Sequence, residues 1–323
     1  MARPRVLLTR RWPQAVEQLL AERYEAVFNE ADAPMGPDAM AQALRSFDAV
    51  CPTVSDDLGS EVLEAGAGAV KILGNYGVGV NHINLEACRR LGIVVTNTPD
   101  VLTDATAELA ILLMLMVARR AGEGERHLRS GQWSGWRPTH MMGAQVTGKT
   151  LGLVGFGRIA QAAARKANHG LGMGILYHSR RRAPEAVEAQ TGARFCPSLD
   201  ELLAESDFVS LHCPGGAETR HLIDAGRLAR MKPSAFLINT ARGSVVDEAA
   251  LAAALNSGVI AGAGLDVYEA EPRVELALMA LENVVLLPHL GSGTTETRVA
   301  MGLRVAANLD AFFTGREPPD RVA

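Results

Sequence analysis

Short apolar runs alternate with helical patterns along most of this 323-residue chain, and no other feature restricts its fold as strongly. Residues 6–9, 26–28, 49–52, 71–74 and 93–97 read as strands, and residues 14–22, 38–46, 60–65 and 84–91 as the helices between them. Strand–helix alternation of this kind predicts a parallel sheet covered on both faces. The pattern then changes. Residues 103–120 predict one long apolar helix closing on Arg119 and Arg120, with Gly122 beyond it. Residues 131–148, which hold Trp133 and Trp136, read as a connecting segment. A second series starts at Thr150, with strands expected at 151–154, 174–178, 208–212, 235–239, 260–265 and 284–287. Six strands in one run fit a complete doubly wound nucleotide-binding sheet. A final helix over 294–314 follows the last of them and is expected to return to the first domain. The expected architecture is therefore α/β, with two domains that each carry a parallel sheet. Residues 1–98 plus 291–323 form the first and 99–290 the second, with hinges near Pro99 and Gly291.

Composition excludes several classes. Apolar residues at 48% and charged residues at 21% are those of a globular chain, not a disordered one. A net charge of −4 gives no electrostatic reason to expect nucleic acid or an anionic membrane as partner. Cys51, Cys88, Cys196 and Cys213 form no C-x-x-C pair and have no close metal-ligand partner, so no metal is expected and the thiols read as buried and free. The N-terminus lacks the apolar core of a signal peptide, and the most apolar run, residues 109–118, is about half what a bilayer needs. The expected location is the cytoplasm.

Gly155-Phe156-Gly157-Arg158-Ile159-Ala160 sits between a predicted strand and a predicted helix. This is the G-x-G-x-x-A form of the dinucleotide fingerprint. Gly155 permits the tight turn, Gly157 lets the backbone approach a pyrophosphate, and Ala160 allows close helix–strand packing. The amides opening the helix, from Arg158 and Ile159 on, supply positive potential for phosphate. The next strand ends in Tyr177-His178-Ser179-Arg180-Arg181-Arg182. No carboxylate stands where one would hold the ribose hydroxyls of NAD. A hydroxyl followed by arginines suits a 2′-phosphate, so NADPH is expected over NADH.

Three more strand ends carry chemistry: Asn239-Thr240-Ala241-Arg242-Gly243, Asp266-Val267-Tyr268-Glu269-Ala270-Glu271-Pro272 and Pro288-His289-Leu290-Gly291. They offer a guanidinium, a carboxylate and an imidazole at the carboxyl ends of strands, where open α/β sheets bind ligands. Each has an ordinary alternative as a solvated arginine, a loop glutamate or a core histidine. Their arrival together beside a dinucleotide loop points to a catalytic set.

With these motifs and His212-Cys213-Pro214, Glu218-Thr219-Arg220 and Gly264-Leu265-Asp266, the sequence resembles the D-2-hydroxyacid dehydrogenase family, specifically its glyoxylate/hydroxypyruvate reductase branch. The resemblance covers nearly the whole chain. It implies a homodimer, two Rossmann-like or flavodoxin-like domains with the active site in the interdomain cleft, and Arg242, Glu271 and His289 as catalytic residues. It implies substrate contacts from Val54, Val78, Gly79, Arg242 and His289. The loop Asn75-Tyr76-Gly77-Val78-Gly79-Val80-Asn81 departs from the family, with Gly77 where Ser is frequent and Asn81 where Asp is frequent. For the cofactor the resemblance implies Thr106, Gly155, Gly157, Arg158, Ile159, Ser179, Arg180, Arg181, Cys213, Pro214, Thr219, Thr240, Asp266, His289 and Gly291. An aromatic residue in the segment of Trp133 and Trp136 closes the pocket in relatives. The implied activity is NADPH-dependent reduction of a small 2-keto acid. Other 2-keto acids, such as 2-ketogluconate or phenylpyruvate, fit the same chemistry, and a dinucleotide-sensing binding protein is the alternative of a different class.

Overall fold

The structure is a computed structural model that describes residues 3–323. Contacts divide the chain into two compact units, one running to Leu102 and resuming at Ser292–Ala323, the other Thr103–Gly291.

The first unit holds β1 (Arg5–Leu8), β2 (Glu25–Phe28), β3 (Ala49–Cys51), β4 (Ile72–Gly74) and β5 (Val94–Thr96). They form one parallel sheet in the order β2-β1-β3-β4-β5. The central strands are buried throughout, as expected where helices cover both faces. The C-terminal helix Thr295–Phe313 packs in this unit. Gly302 makes that possible, because a Cβ there would stand 2.6 Å from Val16 Cγ1. Beyond the helix, buried Asp320 accepts hydrogen bonds from Arg304 and from Asn308 and tethers the chain end.

The second unit holds β6 (Thr150–Val154), β7 (Gly174–His178), β8 (Ala193–Phe195), β9 (Phe208–Leu211), β10 (Phe236–Asn239), β11 (Gly262–Leu265) and β12 (Val284–Leu286). All pair in parallel in the order β12-β11-β10-β9-β6-β7-β8. The winding reverses between β6 and β9, which is where such sheets open a crevice for a ligand.

Two sequence expectations need correction here. The sheet has seven strands, not six. β8 was missed because Ala-Arg-Phe is too short to show a periodic signal and lies at the sheet edge, paired only with β7. The long helix also ends early. It spans Thr103–Ala118, Arg120 adopts φ 54°, and a separate helix follows over Ala121–Arg129. The cause is tertiary: the connecting segment crosses at this point, and the Ala118 carbonyl accepts the Ala144 amide at 2.7 Å. The buried face of the long helix, Ala107, Ala110, Leu113, Met114 and Val117, has the spacing expected of an amphipathic helix. The glycines of β11 let it approach, since a Cβ on Gly264 would lie 3.0 Å from Leu113 Cβ.

All four cysteines are free, and Cys51, Cys88 and Cys196 are buried. Among the described residues no helix is long and apolar enough to cross a membrane.

Candidate active site

The dinucleotide end is built at the reversal of the second sheet. Gly155 has φ 86°, a left-handed conformation that suits glycine, and a Cβ on it would stand 2.8 Å from Cys213 N. The loops after β6 and β9 therefore touch at backbone distance. Gly157 precedes the helix Arg158–Arg165 and supplies no side-chain cap, and nothing lies within 4 Å of a Cβ built on it. The helix start thus has room beside Gly157 and no acidic residue in its first turn, an arrangement suited to a phosphate. Ala160 is fully buried against the sheet.

Past β7, Ser179 Oγ donates to the Arg181 carbonyl at 2.5 Å. Arg180 meets Glu218 at 3.2 Å, which sets this loop opposite the one after β9. Thr219 Oγ1 donates to the carbonyl of Pro214 at 2.7 Å, so this hydroxyl braces its own loop. Cys213 is half-buried, and burial pushes its thiol up to about 11. Thr240 Oγ1 is buried with no hydrogen-bond partner. A buried hydroxyl in this state carries a desolvation cost that a ligand could relieve. That orphan, with the room beside Gly157, means that the residues present fit a dinucleotide.

The candidate catalytic residues lie within the same unit. His289 Nδ1 lies 2.9 Å from Glu271 Oε2, and Glu271 Oε1 accepts the Tyr268 amide at 3.0 Å. Burial raises the Glu271 carboxyl, but the hydrogen bond and charge of His289 outweigh it and leave it below the ordinary value. Nε2 of His289 has no protein partner among the described residues. Asp266 holds this histidine in place. Its carbonyl accepts the His289 amide, and its carboxylate accepts the amides of Leu290 at 2.6 Å and Gly291 at 2.8 Å. The turn sets His289 at φ 56°, strained for a residue with a side chain. Thr106 Oγ1 fastens the end of the turn by donating to the Gly291 carbonyl at 3.1 Å. Burial pushes the Asp266 carboxyl up to about 6, with the two amides and the His289 charge acting in the other direction.

Arg242 approaches from β10. Asn239 shapes its turn by donating to the Arg242 carbonyl and accepting the Ala241 amide. A Cβ on Gly215 would collide with the Arg242 stem at 2.8 Å, and one on Gly243 would stand 1.8 Å from the Tyr268 carbonyl carbon. Glycine at both positions brings the turns after β9, β10 and β11 together. Burial lowers the Arg242 pKa from its ordinary value while the Glu271 charge opposes it. A guanidinium remains charged under such conditions and gains strength as an anion ligand.

In the first unit, the loop after β4 is shaped by fully buried Asn75, whose amide donates to the carbonyls of Gly77 and Gly79 and whose oxygen meets His82 Nε2 at 3.0 Å. The amides of Val78 and Gly79 donate to no acceptor among the described residues. Val54 sits beside this loop, 3.4 Å from a Cβ built on Gly77. Asn75, Asn239 and the clamp made by Asp266 were not legible as structural parts from sequence. Polar residues at strand ends were the signal, but their hydrogen bonds are tertiary.

Fold and site together define a dinucleotide-dependent oxidoreductase. The chain belongs to the D-isomer specific 2-hydroxyacid dehydrogenases, and residues 111–291 match the NAD-binding domain of that family. Among individual proteins, it is 47% identical to a glyoxylate reductase of Thermococcus onnurineus over 99% of this chain and 96% of that one. It is 48% identical, with the same coverage, to a glyoxylate reductase of Thermococcus kodakarensis. A solved structure of an NADPH-dependent glyoxylate/hydroxypyruvate reductase from Sinorhizobium meliloti, in complex with NADP and malonate, superposes with a TM-score of 0.88 at 36% identity, covering 100% of this chain and 97% of that one.

Proposed function

We propose that this protein is an NADPH-dependent reductase of glyoxylate and hydroxypyruvate that forms the D-2-hydroxy acid. The observation that carries the reading is the His289–Glu271 pair at 2.9 Å, with Nε2 unpartnered by protein and Arg242 at the neighbouring strand end. When bound, the reduced nicotinamide supplies a hydride to the keto carbon. His289 gives a proton from Nε2 to the oxygen on which negative charge develops. Glu271 accepts the hydrogen bond from Nδ1, favours the imidazolium and fixes the plane of the ring. Arg242 binds the substrate carboxylate and carbonyl oxygen and so aligns the reacting carbon. In the first unit, the amides of Val78 and Gly79, with Val54 beside them, form a backbone nest suited to a carboxylate. Thr106, Thr240, Asp266 and Gly291 hold the nicotinamide end. Cys213, Pro214 and Thr219 lie on the adenosine side, and Ser179, Arg180 and Arg181 take the 2′-phosphate. The names of the relatives support the substrate class, and the NADP in the Sinorhizobium meliloti complex supports the cofactor.

The reading includes a cytoplasmic homodimer. The support for the dimer is the run of exposed apolar side chains between residues 112 and 142, Leu112, Leu128, Trp133, Trp136 and Met142, with Trp136 81% exposed. The test is a panel of 2-keto acids assayed with NADPH and with NADH. Glyoxylate and hydroxypyruvate with NADPH should give the highest kcat/KM. Comparable kcat/KM with NADH would remove the cofactor preference, and no turnover of either acid would remove the substrate assignment.

A further inference from the structure

Tyr177 heads the fully buried side chains by size, and it joins the two loops that face a dinucleotide. Its ring stacks on Phe156, inside the glycine loop, with centroids 3.9 Å apart and an angle of 17° between planes. Its hydroxyl accepts the Ala183 amide at 2.8 Å and donates to Glu188 Oε1 at 2.5 Å. Glu188, on the helix Glu185–Thr191, also accepts Arg182 through two bonds of 2.9 and 2.8 Å. One hydroxyl and one carboxylate therefore close the arginine loop onto the strand before it and the helix after it.

This network sorts the three consecutive arginines. Arg182 is committed to Glu188. Arg180 has only the exposed Glu218 as partner, and the Arg181 side chain has none among the described residues. Packing alone does not call for the hydroxyl. A phenylalanine would fill the same volume and keep the stack on Phe156, yet the tyrosine spends its oxygen on the loop amide and on the carboxylate that holds Arg182. A charge-assisted bidentate pair behind a buried hydroxyl gives a stiff support, and stiffness is what a charged loop needs to meet a phosphate in one geometry.

We propose that Tyr177 and Glu188 are positioning residues for cofactor selection. They fix the 179–183 loop relative to the glycine loop, so that Arg180 and Arg181 meet the 2′-phosphate while the pyrophosphate sits at Gly157. This rests on the NADPH reading above. The test is calorimetric titration of the wild type, Tyr177→Phe and Glu188→Gln with 2′,5′-ADP and with 5′-AMP. The wild type should favour 2′,5′-ADP by about tenfold or more. In each variant that ratio should fall about fivefold, the loss expected of one broken hydrogen bond, through weaker binding of 2′,5′-ADP alone. The KM for NADPH should rise in parallel while kcat holds. Arg182→Met, which leaves the tyrosine in place, should act in the same direction and serves if Glu188→Gln does not fold. A strong wild-type preference that survives all the variants overturns the positioning role and leaves the NADPH reading standing. Equal weakening of both probes also overturns it, because that marks general damage to the site. A wild-type ratio near one overturns the NADPH reading and the proposal with it.

Discussion

Both sheets carry a helix directly after their first strand; neither helix start has a side-chain cap, and the two differ in the charge of the first turn. After β1 the chain enters the helix Gln14–Arg23, and the Glu17 carboxylate in its first turn accepts the Trp12 amide at 2.8 Å and Arg11 at 2.9 and 2.6 Å. Glu17 is only 6% exposed and places a carboxylate in the first turn, bonded to Trp12 and Arg11 and to no amide of the helix itself. After β6, Gly157 leaves the corresponding start bare, with open space where a side chain would stand. One winding thus yields a first turn with its own acidic residue and one without.

The largest effect expected from breaking this arrangement is chemical. His289→Ala should cut kcat by roughly two or more orders of magnitude, the usual scale of general acid catalysis, with cofactor binding nearly intact. Stopped-flow or steady-state assay against calorimetry separates the two, and near-normal turnover would refute the role of the imidazole. Next comes Gly157→Asp, which gives the second unit a carboxylate at its helix start. Asp is a good cap and has room there, so melting should hold or improve. NADPH binding should weaken about 10- to 100-fold from a like charge beside the pyrophosphate. Retained affinity would show that the phosphate lies elsewhere. The converse change, Glu17→Gln, removes the first unit's first-turn charge and its pairing with Arg11, and should cost about 1–3 kcal/mol in urea unfolding, with no gain of nucleotide binding.

The smallest effect is a contrast in sign. Arg11 holds the Glu17 carboxyl below its ordinary value, so its contribution is present above the unfolded pKa of about 4.5 and is lost as pH falls through the lower folded one. Asp266 is raised to about 6 by burial, so between about pH 4 and 6 the folded chain keeps a proton that the unfolded chain has released. Its contribution is present below pH 4 and is lost as pH rises through 6. Melting curves of Asp266→Asn and the wild type, taken at pH 5 and pH 7, should show the wild type relatively better off at pH 5. The reverse order would place the Asp266 pKa near its ordinary value.

Strand placement in both sheets was readable from sequence because central strands of a parallel sheet are apolar on both faces, as Ala49–Cys51 and Phe208–Leu211 are. Edge strand β8, with one of its three residues buried, shows no such run. Arg242, Glu271 and His289 could be named because ionisable residues at strand ends stand out against apolar runs. Their supports could not. The Asp266 bonds to Leu290 and Gly291 join residues 24 and 25 positions apart, and the break at Ala118 depends on a carbonyl captured by Ala144.

What the amino-acid order decided by itself is local: which segments are strands, where a glycine turn opens a helix, and which ionisable groups punctuate the strand ends. These follow from side-chain periodicity and backbone preference, which act between near neighbours. Tertiary structure alone decided which carboxylate faces which cation. Glu188 took Arg182 and released Arg181, Asp266 bent the chain that carries His289, and Glu17 took Arg11 and the Trp12 amide. A hydrogen bond depends on a few tenths of an ångström in three dimensions, and sequence spacing carries no such measure.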